Sequence, residues 1–393
     1  MPPADHNFPV IISGAGIAGL TCALSLSAKG FNVVIVEKAE KLEAIGAGLQ
    51  ISPNAYKVLA SLGLKEELDT VSTFPEAIHV QSGSSGKRIT SIPLGDTVND
   101  KFGAPYCVVH RGDLQRILLD ACKRSKLVEI RYAAEIANVS DDGDGVKVRL
   151  STGTNSISAN ALVVADGVWS KLRMSLLDAP PPVYTGKTAW RTMFKAEQIS
   201  DKGLLRDTHI WLAPNSHLVT YPVRDSSALN VILICTRGLL NTEIRQSHDN
   251  AELANHLNKF GGAIRELPAS KTNWNAWPIY ETPKPIQMAR GRIAMIGDAA
   301  HSMLPFAAQG AGMAIEDAQI LPNCLENAPA TEAFHHFAKL RTARVERVVK
   351  LARNNGRIYH MSPPLSFCRD IAMKMLPSSG LLKRQAWIYS WKP

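Results

Sequence analysis

Three glycines near the start of the chain have the spacing of a dinucleotide-binding turn. Gly14, Gly16 and Gly19 form the run GAGIAG. Glycine at these positions permits a tight turn, close approach of the backbone to a pyrophosphate, and close packing of a helix on a strand. Glu37 follows eighteen residues after Gly19, where a carboxylate can accept hydrogen bonds from an adenosine ribose. The pattern predicts a dinucleotide site whose diphosphate faces a helix N-terminus.

The residues around this turn have the order strand, helix, strand. Residues 8–13 are an apolar run of strand length, residues 17–29 are rich in Ala, Leu and Ser, and residues 31–37 are a second β-branched run. This order predicts a βαβ unit with a parallel pair of strands. The unit by itself does not distinguish NAD from FAD.

Two later motifs place aspartates directly after predicted strands. Residues 162–173 read LVVADGVWSKLR, and residues 292–317 read RIAMIGDAAHSMLPFAAQGAGMAIED. Asp166 and Asp298 therefore lie at the carboxyl ends of strands, where open α/β sheets bind ligands. An alternative for Asp298 is a helix N-cap, a position that aspartate also favours.

Together the three motifs resemble the fingerprints of the single-component FAD-dependent aromatic hydroxylases, which include salicylate hydroxylase, hydroxybenzoate hydroxylases and 6-hydroxynicotinate monooxygenase. The likeness runs from residue 8 to the end and includes GAGLQISPN at 46–54, HRGDL at 110–114, NNGRIYH at 354–360 and the closing WIYSW. It implies non-covalent FAD and hydroxylation of a small phenolic or aromatic acid with O2 and NADH or NADPH, through a flavin C4a-hydroperoxide. No second GxGxxG follows a later strand, as in this family, where the nicotinamide nucleotide has no Rossmann domain of its own.

The resemblance also implies which residues bind the cofactor. Asp298 would bind the ribityl hydroxyls of FAD. Backbone amides near Gln309 would face the flavin N1 and O2, where a helix N-terminus favours the negative charge of the reduced flavin. Ala165 stands where the family commonly has glycine, which weakens the inference for NAD(P)H but not for FAD. The full predicted set is Gly14, Gly16, Ala18, Gly19, Glu37, Lys38, Gly48, Arg111, Asp166, Gly167, Asp298, Gly310, Ala311 and Gly312.

Four further residues are predicted to act on the substrate side. The run NSHLVTYPV at 215–223 resembles the family strand whose histidine and tyrosine face the substrate, here His217 and Tyr221. Residues four apart on a strand point to the same face. His217 is the candidate general base for a phenolic proton, and the alternative is a buried core histidine. By resemblance, Pro305 and Gln309 would lie beside the flavin.

The substrate itself is constrained less closely. Gln50 and Phe306 stand where nicotinate-type relatives have histidines, which argues against a hydroxynicotinate and for a more apolar pocket. Two other functions stay open: hydroxylation of a quinone precursor, and a non-catalytic flavin-binding sensor.

The predicted fold is α/β, with a Rossmann-like FAD-binding domain, an inserted, mainly β-sheet substrate domain of α+β type and a helical C-terminus. A Gly/Ser-rich stretch at 81–87 and the prolines at 180–182 mark the breaks. We expect a hairpin within 74–105 and helices at 110–122, 251–260 and 313–325. The predicted domains are 1–72, 106–180 and 287–325 for FAD, 73–105 and 181–286 for substrate, and 326–393 for the helical region.

Composition excludes several other classes of protein. Hydrophobic residues make up 45% and charged residues 20% of the chain, as in ordinary globular proteins. The net charge of +9 favours anionic small molecules, and no nucleic-acid-binding signature accompanies it. The six cysteines are dispersed without a CxxC pair, so we expect no metal site and a reducing, cytoplasmic environment. We expect neither a signal peptide nor a membrane span, and a monomer or homodimer.

Overall fold

The computed structural model describes residues 8–42, 48–141, 143, 145–151, 156–237, 250–267 and 274–392; the first two residues of the GAGLQISPN motif lie outside these ranges. The helices of the described residues are α1 (Ile17–Ser27), α2 (Pro53–Ser61), α3 (Lys65–Val71), α4 (Gly95–Phe102), α5 (Arg111–Arg124), α6 (Lys171–Leu177), α7 (Asn250–Leu257), α8 (Asp298–His301), α9 (Gly310–Asn327), α10 (Ala330–Tyr359), α11 (Leu365–Met375) and α12 (Ser378–Tyr389). The strands are β1 (Val10–Ser13), β2 (Val33–Val36), β3 (Gly48–Ile51), β4 (Ser72–Thr73), β5 (Ala77–Ser82), β6 (Arg88–Pro93), β7 (Cys107–His110), β8 (Val128–Arg131), β9 (Ile136–Asp141), β10 (Val146–Leu150), β11 (Ser156–Ala159), β12 (Ala161–Val164), β13 (Val183–Lys195), β14 (Thr208–Ala213), β15 (Ser216–Val223), β16 (Ala228–Thr236), β17 (Asn275–Glu281), β18 (Ala289–Arg290) and β19 (Ile293–Met295).

A mostly parallel sheet carries the glycine turn. Its strand order is β18-β19-β12-β1-β2-β8, and β1 pairs in parallel with both β2 and β12. Strands β1, β2 and β12 are buried along their whole length and almost entirely apolar, as in parallel sheets that helices cover on both faces. The chain leaves β1 toward β2 and returns much later to β12 on the other side, so β1 lies at the switch point where α/β sheets bind ligands. The predicted βαβ unit is confirmed.

A second, seven-stranded sheet has the order β17-β13-β16-β15-β14-β5-β6. Neighbouring strands are antiparallel except β14 and β5, which are parallel. The hairpin predicted within 74–105 is β5 and β6. Helix α4, which follows it, was not predicted, because its buried residues Val98 and Phe102 provide only one helical repeat.

The predicted fold class is confirmed: a Rossmann-like parallel sheet, a large second sheet and a helical C-terminus. Two helix starts differ from prediction. Helix α5 begins at Arg111 because His110 completes β7. Helix α9 begins at Gly310, because the two glycines that precede the predicted start at Met313, both poor helix formers, are nevertheless helical. The division into domains at the predicted boundaries stays a prediction. Among the described helices, none is long and apolar enough to cross a membrane.

Candidate active site

A cavity of about 570 Å³ lies between the carboxyl edge of the parallel sheet and the second sheet. Its walls come from the glycine turn after β1, the loop after β12, the first turns of α5, α8 and α9, and strands β3, β13, β15, β16 and β17. The structure therefore brings together most of the predicted site residues. Those that line the cavity are Gly16, Ala18, Gly48, Arg111, Gly167, Tyr221, Asp298, Pro305, Gly310 and Ala311.

The three glycines of the turn have separate physical roles. Gly14 has φ +100°, and a Cβ there would lie 2.6 Å from the Ala165 carbonyl oxygen. A Cβ on Gly19 would lie 2.0 Å from the Gly14 carbonyl oxygen, so this position requires glycine for packing. Gly16 lines the cavity, and a Cβ there would meet no described atom within 4 Å. The open space over Gly16 is where a pyrophosphate could approach the backbone.

Glu37 holds the glycine turn to the end of β2. Its carboxylate accepts hydrogen bonds from the backbone N–H groups of Ala15, at 2.8 Å, and Ala39, at 2.9 Å. This fixes the acid beside the turn, where an adenosine ribose would lie. Lys38 is exposed, and its charge acts on Asp166.

Of the two aspartates of the later motifs, Asp298 lines the cavity, and Asp166 lies between two residues that line it, Ala165 and Gly167. Asp298 is exposed and forms no hydrogen bond or ion pair with any described residue. The N-cap of α8 is Gly297 and no side chain caps that helix, so the capping alternative for Asp298 is not what the structure contains. Burial raises the pKa of Asp166 to about 6, opposed by its hydrogen bond with Ser170.

These groups fit a flavin dinucleotide. Oδ1 of Asp166 is buried with no hydrogen-bond partner among the described atoms, so a ligand hydroxyl would satisfy it. The open backbone at Gly16 suits a diphosphate, and the unpartnered Asp298 carboxylate suits sugar-alcohol hydroxyls. FAD would bind through these three residues.

The first turn of α9 supplies backbone amides to the cavity. Gly310 and Ala311 line the cavity, whereas Gly312 is buried behind them. A Cβ on Gly312 would lie only 2.9 Å from Oε1 of Gln309, so a side chain does not fit there without a shift. The Gln309 side chain does not line the cavity. Its Nε2 donates to Ser52 Oγ at 2.9 Å and its Oε1 accepts from Asn54 Nδ2 at 3.2 Å. Gln309 therefore fixes the start of α9 through contacts on the side away from the cavity.

On the opposite wall, Tyr221 lies fully buried against β3. A Cβ on Gly48 would be 2.3 Å from Cε2 of the Tyr221 ring, so glycine is required for this contact. Burial raises the pKa of Tyr221, opposed by Arg191 and by a hydrogen bond with Gln50. Gln50 also accepts a short hydrogen bond from the hydroxyl of Tyr106. Tyr221, Gln50 and Tyr106 thus form a small hydroxyl and amide cluster, of which the sequence predicted Tyr221 as a site residue and Gln50 as a position in the substrate pocket.

Arg191, on β13, is a cavity residue that sequence reasoning missed. Its Nε is buried without a hydrogen-bond partner, and the residue forms no ion pair with any described group. Burial lowers the pKa of the Arg191 guanidinium, and Arg111 across the cavity lowers it further. The available signal was local: Trp190 packs into the core of the second sheet, so Arg191 must point to the other face.

The structure does not bring His217 to the cavity lining, contrary to the expected role as general base. His217 is buried, its Nδ1 lies 2.9 Å from Nε2 of His360, and its ring centroid lies 4.8 Å from that of Phe306. Burial lowers the pKa of His217 well below its usual value, and the neighbouring His360 and Lys187 lower it further. The shared sheet face with Tyr221 is as predicted, but these contacts favour the buried-core alternative. The catalytic role of His217 stays a prediction.

An aromatic rim borders the cavity. Trp169 and Trp277 are 51% and 56% exposed, and both line the cavity with Tyr280. The ring centroids of Trp169 and Tyr280 are 4.5 Å apart in an edge-to-face arrangement. Trp277 is a residue of strand β17 and contributes to this rim.

Behind the cavity, a buried ionic network joins α9 to α10. Asp317 accepts hydrogen bonds from the Gly297 N–H at 3.0 Å, from His301 at 2.6 Å and from Arg341 at 2.7 Å. Arg341 also donates to Glu316 at 2.7 Å. Through the hydrogen bond from its backbone N–H to Asp317, the network fixes the position of Gly297, the residue before Asp298. His301 is therefore a structural residue. Among the described residues, no cluster of His, Cys, Asp or Glu could hold a metal ion.

The fold and cavity define a dinucleotide-binding enzyme, and comparison with known proteins specifies its family. The FAD binding domain family matches residues 7–350. The chain is 31% identical to 3-hydroxybenzoate 6-hydroxylase 1 of Aquipseudomonas alcaligenes over 388 residues, 98% of each chain. Among solved structures, HpxO of Klebsiella pneumoniae complexed with FAD and uric acid matches with a TM-score of 0.85 and 24% identity, over 97% of this chain and 96% of that one. A salicylate hydroxylase substrate complex matches with a TM-score of 0.83 and 22% identity, over 99% and 97%.

The chain belongs to the FAD-dependent aromatic hydroxylase family. It is a flavoprotein monooxygenase with FAD as its cofactor, and NAD(P)H is the standard co-substrate of the family. The resemblance seen in the sequence motifs is confirmed.

Proposed function

We propose that this enzyme hydroxylates a small aromatic acid that carries a ring hydroxyl, using NADH or NADPH and O2. The observation that carries the proposal is Arg191, a half-buried arginine whose Nε is buried without a hydrogen-bond partner and which has no carboxylate partner in the described chain, in the same cavity as Tyr221. A buried charge without a partner is costly, and the carboxylate of an aromatic acid would supply one in a bidentate geometry. The family relative at 31% identity is named for 3-hydroxybenzoate, a compound of this class.

The remaining cavity groups suit the rest of such a substrate. Tyr221 and Gln50 offer hydrogen bonds to a ring hydroxyl, and the raised pKa of Tyr221 keeps it a neutral donor. Ala189, Ile232 and Ile279 form an apolar wall that would contact the ring and exclude water. When bound, FAD supplies the redox chemistry. The protein binds and orients the ring beside it and holds the carboxylate away from it.

Substrate profiling tests the proposal. Purified FAD-loaded enzyme is mixed with NADH or NADPH and each of a panel of hydroxybenzoates, and nicotinamide oxidation and product mass are followed. We expect acceleration with a hydroxylated acid, and a KM that is ~10-fold or more higher for its uncharged amide, because a hydrogen bond to a charged group contributes about 1.5–3 kcal/mol.

Arg191→Met is the matched variant for this test. It should raise the KM for the acid toward that of the amide while leaving the KM of the amide and the FAD content unchanged. If the ratio of the KM for the amide to the KM for the acid is the same in Arg191→Met and in the unchanged enzyme, Arg191 does not bind the carboxylate. If FAD binds but no compound accelerates nicotinamide oxidation, the flavin-binding sensor is the better function; if long-chain phenols are oxidised and acids are not, the quinone-precursor alternative is.

A further inference from the structure

Helix α11 is anchored to the molecule by one side only. Met373 packs against a small core cluster beneath it that contains Val80 and Ile89. Arg369 is buried and donates hydrogen bonds to the carbonyl oxygens of Ile358, at 3.2 Å, and Tyr359, at 3.0 Å. This side therefore fixes the position of the helix on the surface of strand β6.

The opposite side of α11 is apolar and exposed. Leu365, Phe367, Ile371 and Met375 are 61%, 69%, 43% and 80% exposed. Phe367, Ile371 and Met375 recur every fourth residue, so they share a face, and Leu365 adds exposed apolar surface at the first residue of α11. Single exposed apolar residues are normal, but a contiguous apolar patch marks an interaction site. We call this patch, Leu365, Phe367, Ile371 and Met375, the α11 face.

Basic residues predominate in the C-terminal segment that contains the α11 face. Lys374 on α11 and Lys383 and Arg384 on α12 are exposed. Asp370 is the only acidic residue from 361 to 393, and it is paired with Arg369 at 2.7 Å. Lys374 directly precedes Met375 on α11, so the α11 face carries an exposed basic residue beside it and lies in a segment without an unpaired acid.

We propose that the α11 face binds an anionic lipid membrane surface. A short amphipathic helix with apolar residues on one face and lysine or arginine beside it lies in the interfacial plane of a bilayer, and its affinity depends on buried apolar area and on attraction to anionic lipids. The 11 residues of α11 extend roughly 16 Å, so the helix lies on the membrane and does not cross it.

The same charges disfavour a second copy of this chain as the occupant. A two-fold interface brings the same patch of both subunits together. Lys374, beside Met375 on α11, would then lie close to the same basic segment of the other copy, and like charges at an interface are unfavourable. An anionic bilayer presents the complementary charge to Lys374 and to this basic segment.

The test is flotation of the FAD-loaded full-length enzyme with vesicles. We expect the protein to float with vesicles of phosphatidylglycerol and phosphatidylcholine, not with phosphatidylcholine alone, and binding to weaken in 0.5 M salt. The double variant Phe367→Ser/Met375→Ser should bind ~10-fold or more weakly, because most of the buried apolar area is lost. Lys374→Glu should weaken binding by a similar factor. Turnover of free substrate should be unchanged in all of them.

Leu340→Ser/Val183→Ser is the matched control, since these residues are 48% and 53% exposed elsewhere on the surface. The control should bind vesicles like the unchanged protein. Absence of binding to the anionic vesicles, or equal binding by the control and the α11 variant, would overturn the proposal. A dimer in sedimentation velocity that the Phe367→Ser/Met375→Ser variant loses would also overturn it, in favour of self-association through this face.

Discussion

Removing the guanidinium of Arg341 should cost the protein a large part of its stability. Arg341 is 1% exposed, and its two partners, Glu316 and Asp317, are fully buried. Methionine has a similar volume, but Arg341→Met removes one positively charged partner from the buried carboxylates of Glu316 and Asp317. Removing one partner of a buried ion pair typically costs about 3–5 kcal/mol.

The structure places the expected loss at the lower end of that range. Glu316 keeps its pair with Arg344, whose Nε lies 2.6 Å away, and Asp317 keeps His301 and the Gly297 N–H. We therefore expect Arg341→Met to lower the free energy of unfolding by about 3 kcal/mol.

Urea unfolding of the FAD-loaded protein measures this loss. Arg290→Met is the control, because Arg290 pairs with Asp178 at 2.8 Å where the side chains are 57% and 80% exposed, and exposed pairs contribute about 0–1 kcal/mol. A loss for Arg341→Met within about 0.5 kcal/mol of the control, a margin typical of surface changes, would refute the reasoning that this network stabilises the base of the cavity.

Three further predictions concern single residues. The pKa of Asp166 is raised to about 6 in the folded protein. Between roughly pH 4 and pH 6, Asp166 is therefore still protonated in the folded protein but already ionised in the unfolded chain. The fold consequently loses stability as the pH rises through this range. FAD-stripped Asp166→Asn should therefore gain melting temperature over the unchanged protein from pH 4 to pH 7; a constant difference would contradict this. His217→Gln should lower the melting temperature through loss of the buried contact with His360 while turnover per folded molecule stays within about threefold, and a loss of ~100-fold at unchanged stability would instead support a general base. Gly48→Ala should displace the Tyr221 ring and raise the substrate KM with FAD still bound; an unchanged KM would show that the ring position is not important for binding.

The cofactor side of the cavity was largely predictable because its signals are local. The glycine turn, Glu37 and Asp298 each follow a strand within a few residues, and the chemistry of a strand-turn-helix unit requires those residue types. The substrate side depends on contacts between distant segments. Arg191 and Tyr221 face the same cavity only because β13 and β15 both pair with β16.

His217 shows where strand periodicity alone is insufficient. Alternation along β15 correctly placed His217 and Tyr221 on one face of the sheet. His360, at the end of α10 and 143 residues away in the chain, hydrogen-bonds the His217 ring, and Phe306 packs on it. No local pattern predicts that a distant helix end encloses one of two residues on the same face.

The most direct test of the central claim is turnover of a hydroxylated aromatic acid under ¹⁸O₂. We expect purified enzyme to be yellow with one FAD per chain, and we expect substrate to accelerate NADH or NADPH oxidation. We also expect the product to gain one oxygen atom labelled from ¹⁸O₂, and Asp298→Ala to lose FAD because the ribityl hydroxyls lose a hydrogen-bond partner. Two results would contradict this function. One is a product whose new oxygen comes from water. The other is full FAD occupancy of Asp298→Ala together with nicotinamide oxidation that no aromatic acid accelerates.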